Sequence, residues 1–318
     1  MAEPDFLNDE RRVWLLLALL GAGTLAGLHA AGFTVLWRTT AGPLAGAFGL
    51  HLVNRFYRRI RPDPRLAATC EALAQLVLFT LITGPLSYLA ATPALPLQDA
   101  RLAHADMLLG LDWRTYLAAV DGAPGFGRLL RFAYDTLMPQ LAAALLVLGL
   151  GGRIRELRLL VWAVGLSAMA TVLVSMLLPA AGCYVHFGLT RADFPHLHPS
   201  AAFVHMADFI GLRDGSDRTI NLLTLQGIIT FPSFHAALAT LYAWAFWRHR
   251  ILRWPGLAFE ILVLLSTPIE GGHYFIDVIA GMAIAGGSIL VAKRIVPRRP
   301  IAPAASPPAV AAALPASA

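Results

Sequence analysis

GGHYFIDVIAGMAIAGGSILVAKRI, residues 271–295, joins two ionisable residues to a long apolar run. From Tyr274 onward it is almost wholly apolar until Lys293 and Arg294, which is the length of about 20 residues that a helix needs to cross a bilayer. Its other end carries His273 and Asp277, four residues apart and therefore on one face of a helix. An imidazole and a carboxylate at membrane depth are costly, and such groups are kept where they perform chemistry or transport.

The rest of the chain has the same character. Of its 318 residues 57% are hydrophobic and only 14% are charged, against about 25% charged in a soluble domain. The apolar residues come in long blocks, so the solvent of this chain is lipid. The net charge of +6 is carried almost entirely by arginines in short runs between those blocks. That is the pattern of topology signals and not of a nucleic-acid surface. Spanning segments are expected at roughly 13–37, 41–54, 66–92, 130–150, 159–181, 232–248, 251–267 and 274–296. With about eight spans, the clusters around Arg11, Arg58, Arg155, Arg250 and Lys293 all fall on one side, which the positive-inside rule makes cytoplasmic. The expected fold is an all-α polytopic membrane bundle in the inner or plasma membrane, with both termini cytoplasmic.

The first apolar run is too long for a secretory h-region, so it is read as an uncleaved span. Residues 1–299 are read as one transmembrane catalytic domain, and the Pro/Ala-rich residues 300–318 as a disordered cytoplasmic tail. Cys70 and Cys183 fall near opposite faces and cannot pair. Two longer connections lie outside. Residues 93–129 show apolar positions at helical spacing among Asp and Arg, the pattern of an amphipathic helix on the membrane surface. Residues 182–231 are long enough to be functional or partly folded.

The expected chemistry sits where two spans open on the outer face. Phe231-Pro232-Ser233-Phe234-His235 begins the sixth span. Pro232 suits a first helical turn, Ser233 can cap it, and His235 then stands at a helix N-terminus, which favours an anion such as phosphate. A carboxylate on one nitrogen of His273 would fix its tautomer and leave the other nitrogen basic or nucleophilic. Gly271 and Gly272 let backbone or substrate approach. By the span count His235, His273 and Asp277 meet at one membrane face.

These segments resemble the type 2 phosphatidic acid phosphatase superfamily, and within it the inositol phosphorylceramide synthase-like branch. The superfamily motif Pro-Ser-Gly-His is matched by Pro232, Ser233 and His235, with Phe234 in place of glycine. The motif Ser-Arg-x5-His-x3-Asp is matched by Ser266, His273 and Asp277, with Thr267 in place of arginine. The Lys-x6-Arg-Pro motif is missing, since Lys293 is the only lysine and the spacing from Asn54 to Arg61-Pro62 lies on the cytoplasmic side. GCYVHFG (182–188) and AYDTLMPQ (133–140) resemble segments of the synthase-like branch, which keeps the two His and the Asp without the Lys/Arg clamp.

The resemblance implies that His273 attacks phosphorus, oriented by Asp277, to form a phosphohistidine, while His235 serves as acid and then base. It implies no metal and no other cofactor. The partners are membrane lipids: a lipid phosphate donor and a lipid hydroxyl or water as acceptor. Without the clamp, a phosphodiester donor with one charge fewer is favoured over a monoester, hence transfer of a phosphorylated head group between lipids. Candidate substrate-binding residues are Ser233, Gly272, Tyr184, His186, Tyr134 and Asp135, with Arg128, Arg131 and Arg191 as further phosphate-holding candidates. Other readings are a lipid or polyprenyl phosphate phosphatase, a transporter or flippase using the His–Asp pair as a proton relay, and a catalytically dead scaffold. His186, His196, His198 and His205 are read as a solvated loop in preference to a metal site, and Glu71 and Glu260 as helix-pairing residues in preference to relays. The sequence leaves the oligomeric state open.

Overall fold

The computed structural model describes residues 4–199 and 201–296, with side chains from Glu10 onward; the tail expected at 300–318 lies outside the described residues. The chain is 74% helical with almost no sheet, an all-α membrane bundle. The long helices are α1 (Pro4–Ala30), α2 (Ala41–Arg59), α3 (Pro64–Ala91), α7 (Leu137–Leu150), α8 (Ile154–Leu177), α12 (Phe234–Trp247), α13 (Arg253–Glu270) and α14 (Phe275–Ile295). Short helices lie between them: α4 (Asp99–Leu108), α5 (Trp113–Asp121), α6 (Pro124–Asp135), α9 (Cys183–His186), α10 (Ala201–Val204) and α11 (Met206–Asp214). The strands β1 (Thr34–Val35) and β2 (Thr219–Ile220) pair in parallel.

Contacts between helix ends fix the up-and-down course of the chain. At one end Glu10 accepts hydrogen bonds from Arg58 and Arg158, and the Asn54 amide donates to the Ala67 carbonyl at 2.8 Å. These bonds gather the start of α1, the end of α2 and the starts of α3 and α8. At the opposite end, β1 after α1 pairs with β2 of the long loop, and the Tyr88 hydroxyl near the end of α3 donates to Asp208. There too the Cys183 amide donates to the Gly272 carbonyl at 2.8 Å, joining the loop after α8 to the turn between α13 and α14.

By length and composition α1, α3, α8 and α14 are able to cross a membrane, and α6 with α7 makes a fifth candidate bent by 54°. That is four or five, where about eight were expected. The remaining three expected spans exist as helices but are shorter or more polar. α12 has 14 residues, a rise of only about 21 Å, and it is sheltered within the bundle, where Ala237, Leu241 and Tyr242 are fully buried. α13 carries Arg253, Glu260 and Glu270, and α2 carries Arg55, Arg58 and Arg59.

Two local expectations are corrected. The span expected over 130–150 is broken between α6 and α7 at Thr136. Pro139 stands in the first turn of α7, where its ring would clash with the carbonyl of Asp135 if the helix ran through. The amphipathic surface helix is several short helices, and its polar residues do not all face water: Asp99 and Asp106 are 6% and 2% exposed.

Small residues allow the close helix approach that packing without a hydrophobic driving force requires. Gly165 of α8 receives the Phe79 ring, and Gly149 of α7 receives the Thr69 side chain. Gly281 of α14 is the most consequential. A Cβ there would fall inside the Ser233 carbonyl oxygen, so the two helices that carry the expected chemistry touch backbone to backbone.

Candidate functional site

Ser233 is the N-cap of α12, its hydroxyl accepting from the Ala236 amide at 3.3 Å. Pro232 therefore lies just before the cap and not in the first helical turn. His235 is the second residue of the helix. α14 begins one residue after Tyr274, and Asp277 at its third position accepts from the Tyr274 amide at 2.9 Å. The Ser233 amide donates to the Asp277 carbonyl at 3.1 Å, clamping the start of α12 to the first turn of α14.

His273 is held from both sides. Its Nδ1 lies 3.3 Å from Asp277 Oδ2, and its Nε2 lies 3.4 Å from Ser233 Oγ. Both His273 and Asp277 are buried, as is Ser233. With Asp277 accepting from Nδ1–H, Nε2 keeps its lone pair and faces the α12 N-terminus. The distances are at the long end for such bonds, as they commonly are before substrate draws a site together. Asp277 Oδ1 is buried with no hydrogen-bond partner among the described residues.

His235 is oriented by a ring. Tyr134, near the end of α6, lies flat on it with centroids 4.4 Å apart and planes 5° apart. The break between α6 and α7 places Tyr134 there.

Two carboxylates brace the turn before α14, and neither stood out in the sequence. Asp106 accepts from the free amides of Phe275 at 2.8 Å and Ile276 at 2.7 Å, which caps α14 from another helix. Asp99 accepts from the amides of Ala181 and Gly182 and from the Tyr274 hydroxyl, the last at 3.0 Å. Burial raises the carboxyl pKa of Asp106, and the two amides oppose that shift. Their only sequence signal was acidic residues on an otherwise apolar amphipathic stretch.

The remaining candidates are distributed around this centre. Gly272, with φ +66°, lies beneath the Tyr184 ring and Ala202, where a Cβ would meet both at 3.1 Å. Tyr184 is buried, and its hydroxyl donates to the Ile269 carbonyl at 3.0 Å. His186 is exposed beside Phe187 and Tyr274. Asp135 is exposed and pairs with Arg131 at 3.6 Å, while Arg131 also donates to the His198 carbonyl. Arg128 and Arg191 are exposed.

The loop histidines separate. His196 pairs with Asp121 at 3.2 Å, whereas His205 is buried, its Nδ1 2.8 Å from the Ala201 carbonyl, and burial lowers its pKa. Away from the site, Glu71 accepts from the Trp14 indole at 2.5 Å, and the Gln140 amide faces Glu260.

A helical membrane bundle that gathers a serine, two histidines and an aspartate where two helices begin defines a class: a membrane protein with a histidine-centred site. The chain belongs to the PAP2 superfamily, whose family model matches residues 100–291, more than half of the chain. The match contains Ser233, His235, His273 and Asp277 and begins inside α4, so that α1 to α3 precede it. Membership points to a phosphatase or phosphotransferase acting on lipid phosphates. No curated protein and no solved structure matches the chain.

Proposed function

We propose that the protein transfers a phosphorylated head group from one lipid to the hydroxyl of another, in the manner of the inositol phosphorylceramide synthase-like branch, without a metal. The observation that carries this reading is the two-sided hold on His273, with Asp277 at Nδ1 and Ser233 at Nε2. In the first step Nε2 attacks the donor phosphorus and a P–N bond forms. The P–O bond to the donor lipid breaks, and protonated His235 gives its proton to the departing oxygen. In the second step neutral His235 takes the proton of the acceptor hydroxyl as that oxygen attacks phosphorus and releases His273. Asp277 holds the Nδ1 proton throughout.

The chain has one lysine, Lys293, at the far end of α14, so no lysine stands near His273 to neutralise a phosphomonoester dianion. A phosphodiester donor with a single negative charge suits such a site better. The site faces the extracytoplasmic leaflet in this reading, because the basic residues Arg58, Arg155 and Arg250 collect at the other end of the bundle.

The test is a lipid assay on purified full-length protein in EDTA, comparing wild type with His273→Ala. Labelled phosphatidylinositol and phosphatidic acid serve as donors, and ceramide or diacylglycerol as acceptor. A new phospholipid that the variant fails to make supports the proposal. Release of inorganic phosphate from phosphatidic acid, with no lipid product, would instead establish a phosphatase.

A further inference from the structure

Beside the catalytic turn, and separated from His273 by Tyr274, an open cavity of ≈ 240 Å³ lies between α4, α5 and α9. His273 does not line it. Most of its polar side chains are already committed. Asp106 is spent on the amides of Phe275 and Ile276, Asp112 on the Arg114 amide and the Thr115 hydroxyl, the Trp113 indole on the Pro268 carbonyl, and the Tyr274 hydroxyl on Asp99. The donors left for a ligand are His104 and the Arg114 guanidinium, which stands 5.8 Å above the Phe187 ring. Asp112 and Asp193 share the field of Arg114, but each is held by hydroxyl and amide donors of its own turn.

One side of the cavity is apolar. Met107, which lines it, and Leu108 and Leu109, which follow at the end of α4, are 61%, 75% and 53% exposed, just before the chain turns at Gly110. Three consecutive large apolar side chains on the helix that carries one spare donor, His104, close to the spare Arg114 guanidinium, match a ligand with an anionic head and a hydrocarbon tail.

We propose that this cavity binds an anionic phospholipid, its phosphate on Arg114 and His104 and its acyl chains along Met107–Leu109. The site is distinct from the one that turns over substrate, and the lipid held there would abut Asp106 and Tyr274, which fix the first turn of α14. It does not rest on the proposed reaction.

The test is native mass spectrometry of the detergent-purified full chain titrated with phosphatidylglycerol, alongside phosphatidylcholine and the soluble head group glycerophosphoglycerol. Wild type is expected to bind phosphatidylglycerol in preference to both. The His104→Gln/Arg114→Gln double variant should bind it about tenfold more weakly or worse. Arg101→Gln removes a charge from the same helix outside the cavity, where Arg101 bonds to Gln98, and should leave binding unchanged. Three results would overturn the proposal: equal binding by the double variant, an equal loss in Arg101→Gln, or phosphatidylcholine or the chain-free head group binding as tightly as phosphatidylglycerol. A thermal melt of the double variant matching wild type shows that lost binding is not lost folding.

Discussion

Tyr134 lies face to face with His235, the two rings 4.4 Å apart and within 5° of parallel. The contact joins α6 to the first turn of α12 across 101 positions of sequence and fixes the plane of the His235 ring, which in the proposed reaction exchanges a proton. Its importance rests on the ring and not on the hydroxyl. Tyr134→Phe should keep most of the transfer rate, while Tyr134→Leu, which loses a stack worth about 0.5–1.5 kcal/mol, should lower it several-fold to tenfold. Steady-state rates of the two variants in the lipid assay check this, and equal losses in both would show that the stack does not matter.

In the proposed reaction Asp277 acts through His273, whose Nδ1 lies 3.3 Å from its Oδ2. Asp277→Asn keeps the size of the side chain and its bond to the Tyr274 amide, but it can present an amide in place of the acceptor that fixes the Nδ1 proton. The rate should fall by about 10²–10⁴-fold with little change in thermal stability. A matching collapse of the melting transition would make Asp277 a folding residue.

Gly281 is a prediction about packing. Any side chain there meets the Ser233 carbonyl, so Gly281→Ala must push α12 away from α14. Such overpacking costs about 1–3 kcal/mol, and it should also abolish activity, because Ser233 and His235 move with α12. Gly286, on the same helix with open space where a Cβ would stand, is the control: Gly286→Ala should be silent in both melt and rate.

Asp106→Ala strips the cap from Phe275 and Ile276, and should cost about 1 kcal/mol of stability together with part of the activity. Stability like that of wild type would mean that the α14 amides find other partners.

Membrane orientation can be probed directly. In a Cys70→Ser background, cysteine at exposed Arg191 should react with an impermeant thiol reagent in intact cells. Cysteine at Ile60, 74% exposed at the basic end, should react only after lysis. The reverse pattern would place the site in the cytoplasm.

The sequence carried the centre of this site because its signals are local. His273 and Asp277 are only four residues apart, although His273 stands just before the Tyr274 cap of α14 and not on the helix, and Ser233 is a helix cap two residues before His235; short spacing and capping rules find both. The helix count was less legible. α12 is sheltered by neighbours and needs neither the length nor the apolarity of a lipid-facing span, and α13 carries Arg253, Glu260 and Glu270, so long apolar blocks alone could not separate them from α8. Asp99, Asp106 and Tyr134 were hidden for a different reason. Each acts on residues more than 80 positions away, and on one helix an acidic residue that will cap a distant helix looks the same as one that will face water. Tyr134 was singled out, but as a substrate contact; only the break at Thr136 turns it onto His235.

In the proposed reaction His273 Nε2 carries the phosphoryl group, and that adduct can be trapped. Purified wild-type protein would be incubated in EDTA, without acceptor lipid, with phosphatidylinositol or phosphatidic acid labelled at phosphorus, then digested and mapped by mass spectrometry. An acid-labile label is expected on the peptide containing His273, lost on adding ceramide or diacylglycerol and absent from His273→Ala. A His273→Ala protein that still forms product at the wild-type rate, or a label on another residue, would contradict it.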